Sequence, residues 1–230
     1  MRIVDNKALV LKTRKPHLIT ESIVKSKVVK TEGLMSQVAV NWGLGEAQQL
    51  TKLGAKDVPS PITRDYKWTG KFTPFDHQKV TSSFLTLHKK AFCFNEAGTG
   101  KTASVIWAAD YLMKKGLIKR VLVKFAMHRS CSVAYGASDR RKKIIEAGAE
   151  FLIINFDGVG VVKKEILAAG FDMIVVDEAS AYKNQQTNRW KILRDIAKQS
   201  EWLWMLTGTP AAQSPLDAFG LARLVSPERV

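Results

Sequence analysis

Acidic residues are scarce: 21 Asp and Glu stand against 36 Lys and Arg, leaving a formal charge of +15 on 230 residues. Such a surface suits polyanions, because clustered Lys and Arg release condensed counterions when they meet phosphates. Cysteine is scarcer still. Cys93 and Cys131 form no Cys-x-x-Cys pair, which excludes a disulfide framework and a cysteine zinc site and makes a reducing compartment the default. The four histidines, His17, His77, His88 and His128, are scattered. Long apolar runs are missing too. Val159 to Val162 and Met173 to Val176 fall far short of the ~20 residues a membrane helix needs, so no membrane partner is expected. Met1 to Asn6 lacks the apolar core of a signal peptide, and a cytoplasmic location is the expectation. With 46% hydrophobic residues the composition is that of a globular protein, excluding disorder and collagen.

The chain changes texture along its length. Residues 1–57 read as a small basic β-rich accessory domain, with strand-like segments at Ala8 to Leu11, Leu18 to Thr20, Ile23-Val24, Val28-Val29 and Val38 to Val40. A helix is expected from Gly45 to Leu53, and Pro59, Pro61 and Gly70 make residues 58–72 a linker. From residue 73 to 230, strands alternate with helical segments, the pattern of a parallel sheet covered by helices. The strands are expected at Ala91 to Asn95, Arg120 to Val123, Cys131 to Tyr135, Phe151 to Asn155, Met173 to Val176 and Trp202 to Leu206. Helices are expected near His77 to Leu87, Thr102 to Lys115, Asp139 to Ala147 and Arg189 to Lys198.

Two strand ends carry chemistry. Asn95-Glu96-Ala97-Gly98-Thr99-Gly100-Lys101-Thr102 lies between an apolar strand and a helix whose apolar face is Val105, Ala108, Ala109 and Leu112. Glycine turns free backbone N–H groups of Ala97, Gly98, Thr99 and Gly100 to surround phosphates at a positive helix N-terminus. Lys101 adds a point charge and the Thr102 hydroxyl is a candidate Mg²⁺ ligand. Asn95 stands where the strict pattern has Gly, and tolerates left-handed backbone angles better than most residues. The second strand, Met173 to Val176, runs into Asp177-Glu178 at the edge where α/β sheets bind ligands. Asp177 is the second candidate Mg²⁺ ligand, and Glu178 a candidate general base for an attacking water.

With a third string, Thr207-Gly208-Thr209-Pro210, these residues resemble the first RecA-like lobe of superfamily two helicases, in the Snf-type branch of DNA translocases and remodellers that phages also carry. Asn95 to Thr102 is similar to that branch's Asp-Glu-Met-Gly-Leu-Gly-Lys-Thr, and Asp177-Glu178-Ala179-Ser180 to its Asp-Glu-Ala-His box. Phe75-Asp76-His77-Gln78 looks like the upstream motif whose glutamine reads adenine. The resemblance implies an α/β P-loop fold and a DNA-dependent ATPase holding ATP and Mg²⁺ with Gln78, Lys101, Thr102 and Asp177. Duplex DNA would be gripped by its phosphates, with Lys183, Asn184 and the Asp139 to Lys143 run as candidates, although solvation is the better reading of that run.

Three departures qualify it. Ser180 replaces the family's histidine, putting the coupling to the third motif in doubt. The segment after Val123 lacks the family's DNA-contacting motif and crossover, suggesting a deletion or gap between Val123 and Lys124. No second lobe follows Val230, and that lobe supplies the family's arginine finger, so this chain is expected to bind ATP, turn it over feebly and need a second lobe in cis or in trans. The alternatives are a non-catalytic nucleic-acid or protein-binding module on a nucleotide-binding scaffold, and a small-molecule kinase. Trp42 and Trp68 remain open as base-stacking platforms.

Overall fold

A computed structural model describes residues 1–68, 73–96, 98–122, 131–209 and 215–228. The chain divides into two compact units, one of Met1–Lys67 with Ser82–His88, the other of Trp68–Thr81 with Lys89–Val230.

The first unit is an antiparallel sheet with three short helices. Its elements are β1 (Arg2–Val4), β2 (Ala8–Thr13), α1 (Pro16–Ser22), β3 (Ser26–Glu32), β4 (Met35–Asn41), α2 (Leu44–Lys52) and α3 (Ile62–Asp65), with strand order β1-β2-β4-β3. Asp5 and Asn6, both at positive φ, are the central residues of the turn between β1 and β2, which the Lys7 N–H closes on the Val4 carbonyl at 3.0 Å. On one sheet face Leu9 pairs with Val40 and Leu11 with Val38, and Leu9, Val38 and Val40 are buried with Ile19, Ile23, Trp42 and Leu50. The expected strand Leu18 to Thr20 is instead α1. Pro16 fits the first turn, where its missing N–H costs nothing, and the helix sets Ile19 and Ile23 on one face toward the core. Ile23-Val24 is likewise no strand, since Ile23 caps α1 with its N–H on the Ile19 carbonyl, 2.8 Å.

Residues 58–67 belong to this unit. Trp42 Nε1 donates to the Pro59 carbonyl at 2.8 Å, and the Arg64 guanidinium donates to the carbonyls of Asn6 and Trp42 while lying 4.7 Å over the Trp42 ring. Trp42 is therefore a buried packing residue rather than a base-stacking platform.

The second unit carries the parallel sheet. Helix α4 (Asp76–Leu87) contributes its first six residues to it, followed by β5 (Lys90–Cys93), α5 (Lys101–Lys114), β6 (Val121–Leu122), β7 (Cys131–Ala134), α6 (Ser138–Glu146) and β8 (Phe151–Ile154). Then come α7 (Phe156–Val161), α8 (Lys163–Ala169), β9 (Met173–Val176), a 3-10 turn (Ala179–Tyr182), α9 (Asn188–Gln199), β10 (Trp202–Leu206) and α10 (Pro215–Val225). The six strands run parallel in the order β5-β10-β9-β6-β8-β7. Every residue of β9 and β10 is buried, as strands covered on both faces require. The expected α/β sheet flanked by helices is thus present. Strand β5 ends at Cys93, so Asn95 lies in the loop rather than in the strand. Trp68 meets the buried Trp107 of α5 edge to face at 5.7 Å, again a packing role.

Strands β6 and β7 lie on either side of β8, with Val121 and Cys131 both in register with Phe151. The junction between Val123 and Lys124, and His128, fall outside the described residues.

Candidate nucleotide site at the sheet edge

Parallel strands put their C-terminal ends on one edge, so the order β5-β10-β9 decides what meets there. The glycine loop leaves β5, Thr207-Gly208-Thr209 leaves β10, and Asp177-Glu178 leaves β9. Adjacent strands are ~4.8 Å apart, which sets the outer two exits about 10 Å from each other with the third string between them. Register confirms the alignment: Leu206 pairs with Cys93, and Met205 with Val176.

The loop turns on two left-handed glycines, Gly98 at φ +80° and Gly100 at φ +74°. Gly100 is forced by more than its angle. A Cβ there would sit 2.2 Å from Nε2 of Gln78. Gln78, buried on α4, donates that Nε2 to the Thr99 carbonyl at 3.1 Å and accepts at Oε1 from the Phe75 N–H at 3.1 Å. His77 Nε2 donates to the same Thr99 carbonyl at 3.0 Å, and Asn95 Nδ2 donates to Thr81 Oγ1 at 2.9 Å. Three successive contacts from the first turns of α4 thus fix the loop's shape. His77 and Thr81 are members that the sequence gives no signal for beyond their nearness to Gln78.

Lys101 opens α5 and is buried, its Nζ donating to the carbonyls of Asn95 at 2.8 Å and Glu96 at 2.9 Å. The ammonium therefore sits inside the loop, held by backbone dipoles. Thr102, half-buried, follows on the same first turn. Ala97 lies outside the described residues.

At the β9 exit, Asp177 is half-buried and Glu178 exposed. Glu178 takes a left-handed backbone, φ 55°, ψ 51°, and its N–H donates to Oδ1 of Asp177 at 3.0 Å. A non-glycine residue there is strained, and such strain concentrates at functional sites. The chain then tucks into the 3-10 turn, whose Tyr182 is buried and its phenol pushed up to about 12 by that burial. Glycine is required again at Gly220 of α10, where a Cβ would lie 1.8 Å from the Lys183 carbonyl. Lys183 pairs with Asp217 of α10 at 3.2 Å, so its charge is already engaged.

Between these exits Thr207 is fully buried. Its N–H donates to the Cys93 carbonyl at 3.1 Å and its Oγ1 accepts from the Thr209 N–H at 3.1 Å. The β10 string is thereby stitched to the strand that leads into the glycine loop. Pro210 falls outside the described residues. Burial also raises the Cys93 thiol above its ordinary range, leaving it a packing residue. In α6, Arg140 stacks on Tyr135 at 4.3 Å and Lys142 faces Glu165 at 3.5 Å, the solvated-helix arrangement expected of that run. No group of three or more His, Cys, Asp or Glu side chains among the described residues could hold a metal by itself, and no helix there is long and apolar enough to cross a membrane.

Comparison with known proteins agrees with this geometry. Residues 118–230 match the family model described as SNF2-related domain. The chain is 23% identical over 168 residues to the uncharacterized ATP-dependent helicase YqhH of Bacillus subtilis, covering 68% of this chain and 30% of that protein. It is 27% identical over 179 residues to the SWI/SNF-related matrix-associated actin-dependent regulator of chromatin subfamily A-like protein 1 of Xenopus laevis, covering 71% of this chain and 18% of the relative. The chain thus spans less than a third of these relatives. Among solved structures, the Sulfolobus solfataricus SWI2/SNF2 ATPase core in complex with dsDNA superposes with a TM-score of 0.59 at 20% identity, over 71% of this chain and 38% of that one. The family match over residues 118–230, the helicase relatives and the SWI2/SNF2 ATPase core together support the parallel-sheet unit as a first RecA-like lobe of the superfamily two, Snf-type helicase kind.

Proposed function

We propose that this chain is the ATP-binding and ATP-hydrolysing half of a DNA helicase or double-stranded DNA translocase. The observation that carries the reading is the strained Glu178, held with an exposed carboxylate at the sheet edge that also bears the Gly98–Gly100 turn and Lys101. A scaffold that only binds has no need to hold a glutamate in left-handed backbone.

The residues present fit Mg-ATP. Gly98 has open space where a Cβ would stand, and the loop leads directly into the N-terminus of α5. A single half-buried carboxylate, Asp177, with the Thr102 hydroxyl makes a partial ligand set, the kind that Mg²⁺ completes with phosphate oxygens and water. Bound there, the ion would neutralise charge on the phosphates. Lys101 would exchange its two loop carbonyls for phosphate oxygens, retaining its position. Backbone N–H groups of residues 97–100 would cradle the phosphates. Gln78 would read adenine, which requires its amide to give up or share the Thr99 carbonyl. Glu178 would orient and deprotonate water, a role worth roughly 10²- to 10⁴-fold in rate. DNA would be held through its phosphates without sequence preference, as suits the basic charge. A second lobe, in cis or in trans, would close the cleft and supply an arginine worth roughly 10³- to 10⁵-fold.

The test is the ATPase rate with and without duplex DNA, beside Lys101→Ala and Glu178→Gln. The expected outcome is DNA-stimulated turnover, nucleotide binding lost in Lys101→Ala, and binding kept with turnover lost in Glu178→Gln. Turnover indifferent to DNA would overturn the translocase reading, and full activity in Glu178→Gln would remove its assigned role.

A further inference from the structure

We infer that the groove between α9, α10 and the start of β5 is a nucleic-acid contact separate from the nucleotide site, taking the phosphodiester backbone along the helix flank of the lobe. The inference rests on the nucleic-acid part of the reading above. The groove encloses about 590 Å³ and is lined by Lys90, Lys191, Arg194, Lys198 and Arg223, with no carboxylate among its lining residues. Lys90, Lys191, Lys198 and Arg223 are exposed, and Arg194 is half-buried.

Ordinary surface lysines are solvated singly or paired, and these are neither scattered nor paired. Lys191, Arg194 and Lys198 follow one another at three- and four-residue spacing along one face of α9, an arrangement of like charges that weakens a helix unless something compensates it. Of the carboxylates on α9 and α10, Asp195 pairs with Lys163 at 2.7 Å and with the groove's own Arg194 at 2.8 Å, and Asp217 pairs with Lys183 at 3.2 Å, which leaves the lysines as the groove's free charges. Glu201, between α9 and β10, is taken by Lys89. Lys90, Lys191 and Lys198 have no ion-pair partner among the described residues. A concave surface lined by one sign of charge focuses its field and attracts the opposite sign.

Position and reach both fit a backbone. Lys90 is the first residue of β5 and pairs in register with Leu203, so it lies at the N-terminal edge of the sheet, opposite the loop that holds Lys101. The other end of the groove is marked by Gln185, which accepts from Arg223 Nη1 at 2.9 Å and lies just beyond the turn that follows Glu178. From Lys191 to Lys198 the helix rises about 10 Å, and with ~3.4 Å of axial rise per phosphate on one DNA strand this spans roughly three phosphates. Trp190 forms a rigid wall, its ring 5.7 Å from the Arg194 guanidinium and its Nε1 fixed on the Gly220 carbonyl at 2.9 Å. No base-reading group is called for, and the contact would be independent of sequence.

The experiment compares the whole chain with a groove triple, Lys90→Gln, Lys191→Gln and Lys198→Gln, and with a control triple that loses the same charge elsewhere, Lys115→Gln, Lys119→Gln and Lys164→Gln. Affinity for fluorescein-labelled duplex and single-stranded DNA is read by anisotropy across a salt series, with binding of a fluorescent ATP analogue measured alongside. The groove triple is expected to lose about tenfold in affinity and about two to three from the salt slope, since each phosphate contact contributes ~0.9. ATP-analogue binding should stay at the wild-type value, and arginine in place of the same three lysines should restore the slope. Equal losses in the two triples, or a wild-type slope in the groove triple, would overturn the groove while leaving DNA binding intact. A wild-type chain that binds neither form of DNA would overturn both the groove and the nucleic-acid part of the proposed function.

Discussion

The two sheets of this protein solve burial differently. In the antiparallel sheet β4 alternates, with Ser36, Val38 and Val40 buried and Met35 and Asn41 exposed, while edge strand β3 is exposed along nearly all its length. In the parallel sheet β9 and β10 are buried at every position. One-sided burial lets the first sheet keep a polar outer face bearing Lys12 and Lys27. Two-sided burial leaves the central strands β9 and β10 no free face, and their chemistry is confined to the loops at the strand ends.

The sharpest way to break that comparison is to hollow the centre of the parallel sheet. Trp204 has no exposed surface and meets Trp202 edge to face at 5.9 Å. Trp204→Ala should cost about 3–5 kcal/mol, read by equilibrium denaturation. Hydrogen exchange of the β2 and β4 amides should keep its wild-type protection. A matching loss there would make the two sheets one cooperative structure.

The converse change is Leu9→Ala, at a fully buried position of the antiparallel sheet. About 2–4 kcal/mol of destabilisation is expected, with exchange accelerated in β2 and β4 and the ATP-analogue affinity unchanged. A fall in nucleotide affinity would tie the small sheet to the site.

A smaller and more local change is Gly100→Ala. The left-handed backbone alone costs roughly 1–2 kcal/mol for a side chain, and the methyl would displace Gln78 from the Thr99 carbonyl. Nucleotide affinity should fall while the β2 and β4 amides stay as they are. An unchanged affinity in a nucleotide titration would mean that the loop does not depend on the α4 brace.

How much of this was legible in the sequence follows from the same contrast. Parallel strands buried on both faces announce themselves as apolar runs, so Met173 to Val176 and Trp202 to Leu206 are readable to the residue. The antiparallel unit hides more. Leu18 to Thr20 looks like a strand because its apolar side chains are close in sequence, whereas Pro16 and the burial of Ile19 and Ile23 make it a helix. Helices α7, α8 and α10 escaped because Gly158 and Gly160 break the apparent helical pattern of α7, and the other two are short or begin at a proline. At the site, motif and strand context offer Gly98, Gly100, Lys101, Asp177 and Glu178 as candidates, and the strand order brings their loops to one sheet edge. The brace formed by His77 and Thr81, and the stitch from Thr207 to Cys93, depend on which strand lies beside which and have no local signature.

The least expected effect sharpens the comparison at the helix layer that only the parallel sheet needs. Asp195 joins α8 to α9 by accepting from Lys163 at 2.7 Å and from its neighbour Arg194 at 2.8 and 3.1 Å, and these two partners hold its carboxyl down to about 2. A carboxyl depressed in the folded state adds stability above its unfolded pKa of ~3.9 and loses it as the pH falls toward about 2. The pair is partly exposed, its side chains 31% and 32% accessible, so the contribution belongs with surface pairs at less than about 1 kcal/mol. Asp195→Asn should therefore lower stability slightly at neutral pH and flatten the stability profile between about pH 4 and pH 2. Urea midpoints measured across that window test it. A variant profile as steep as the wild type would assign the acid sensitivity to other carboxylates and leave the α8–α9 contact to apolar packing alone.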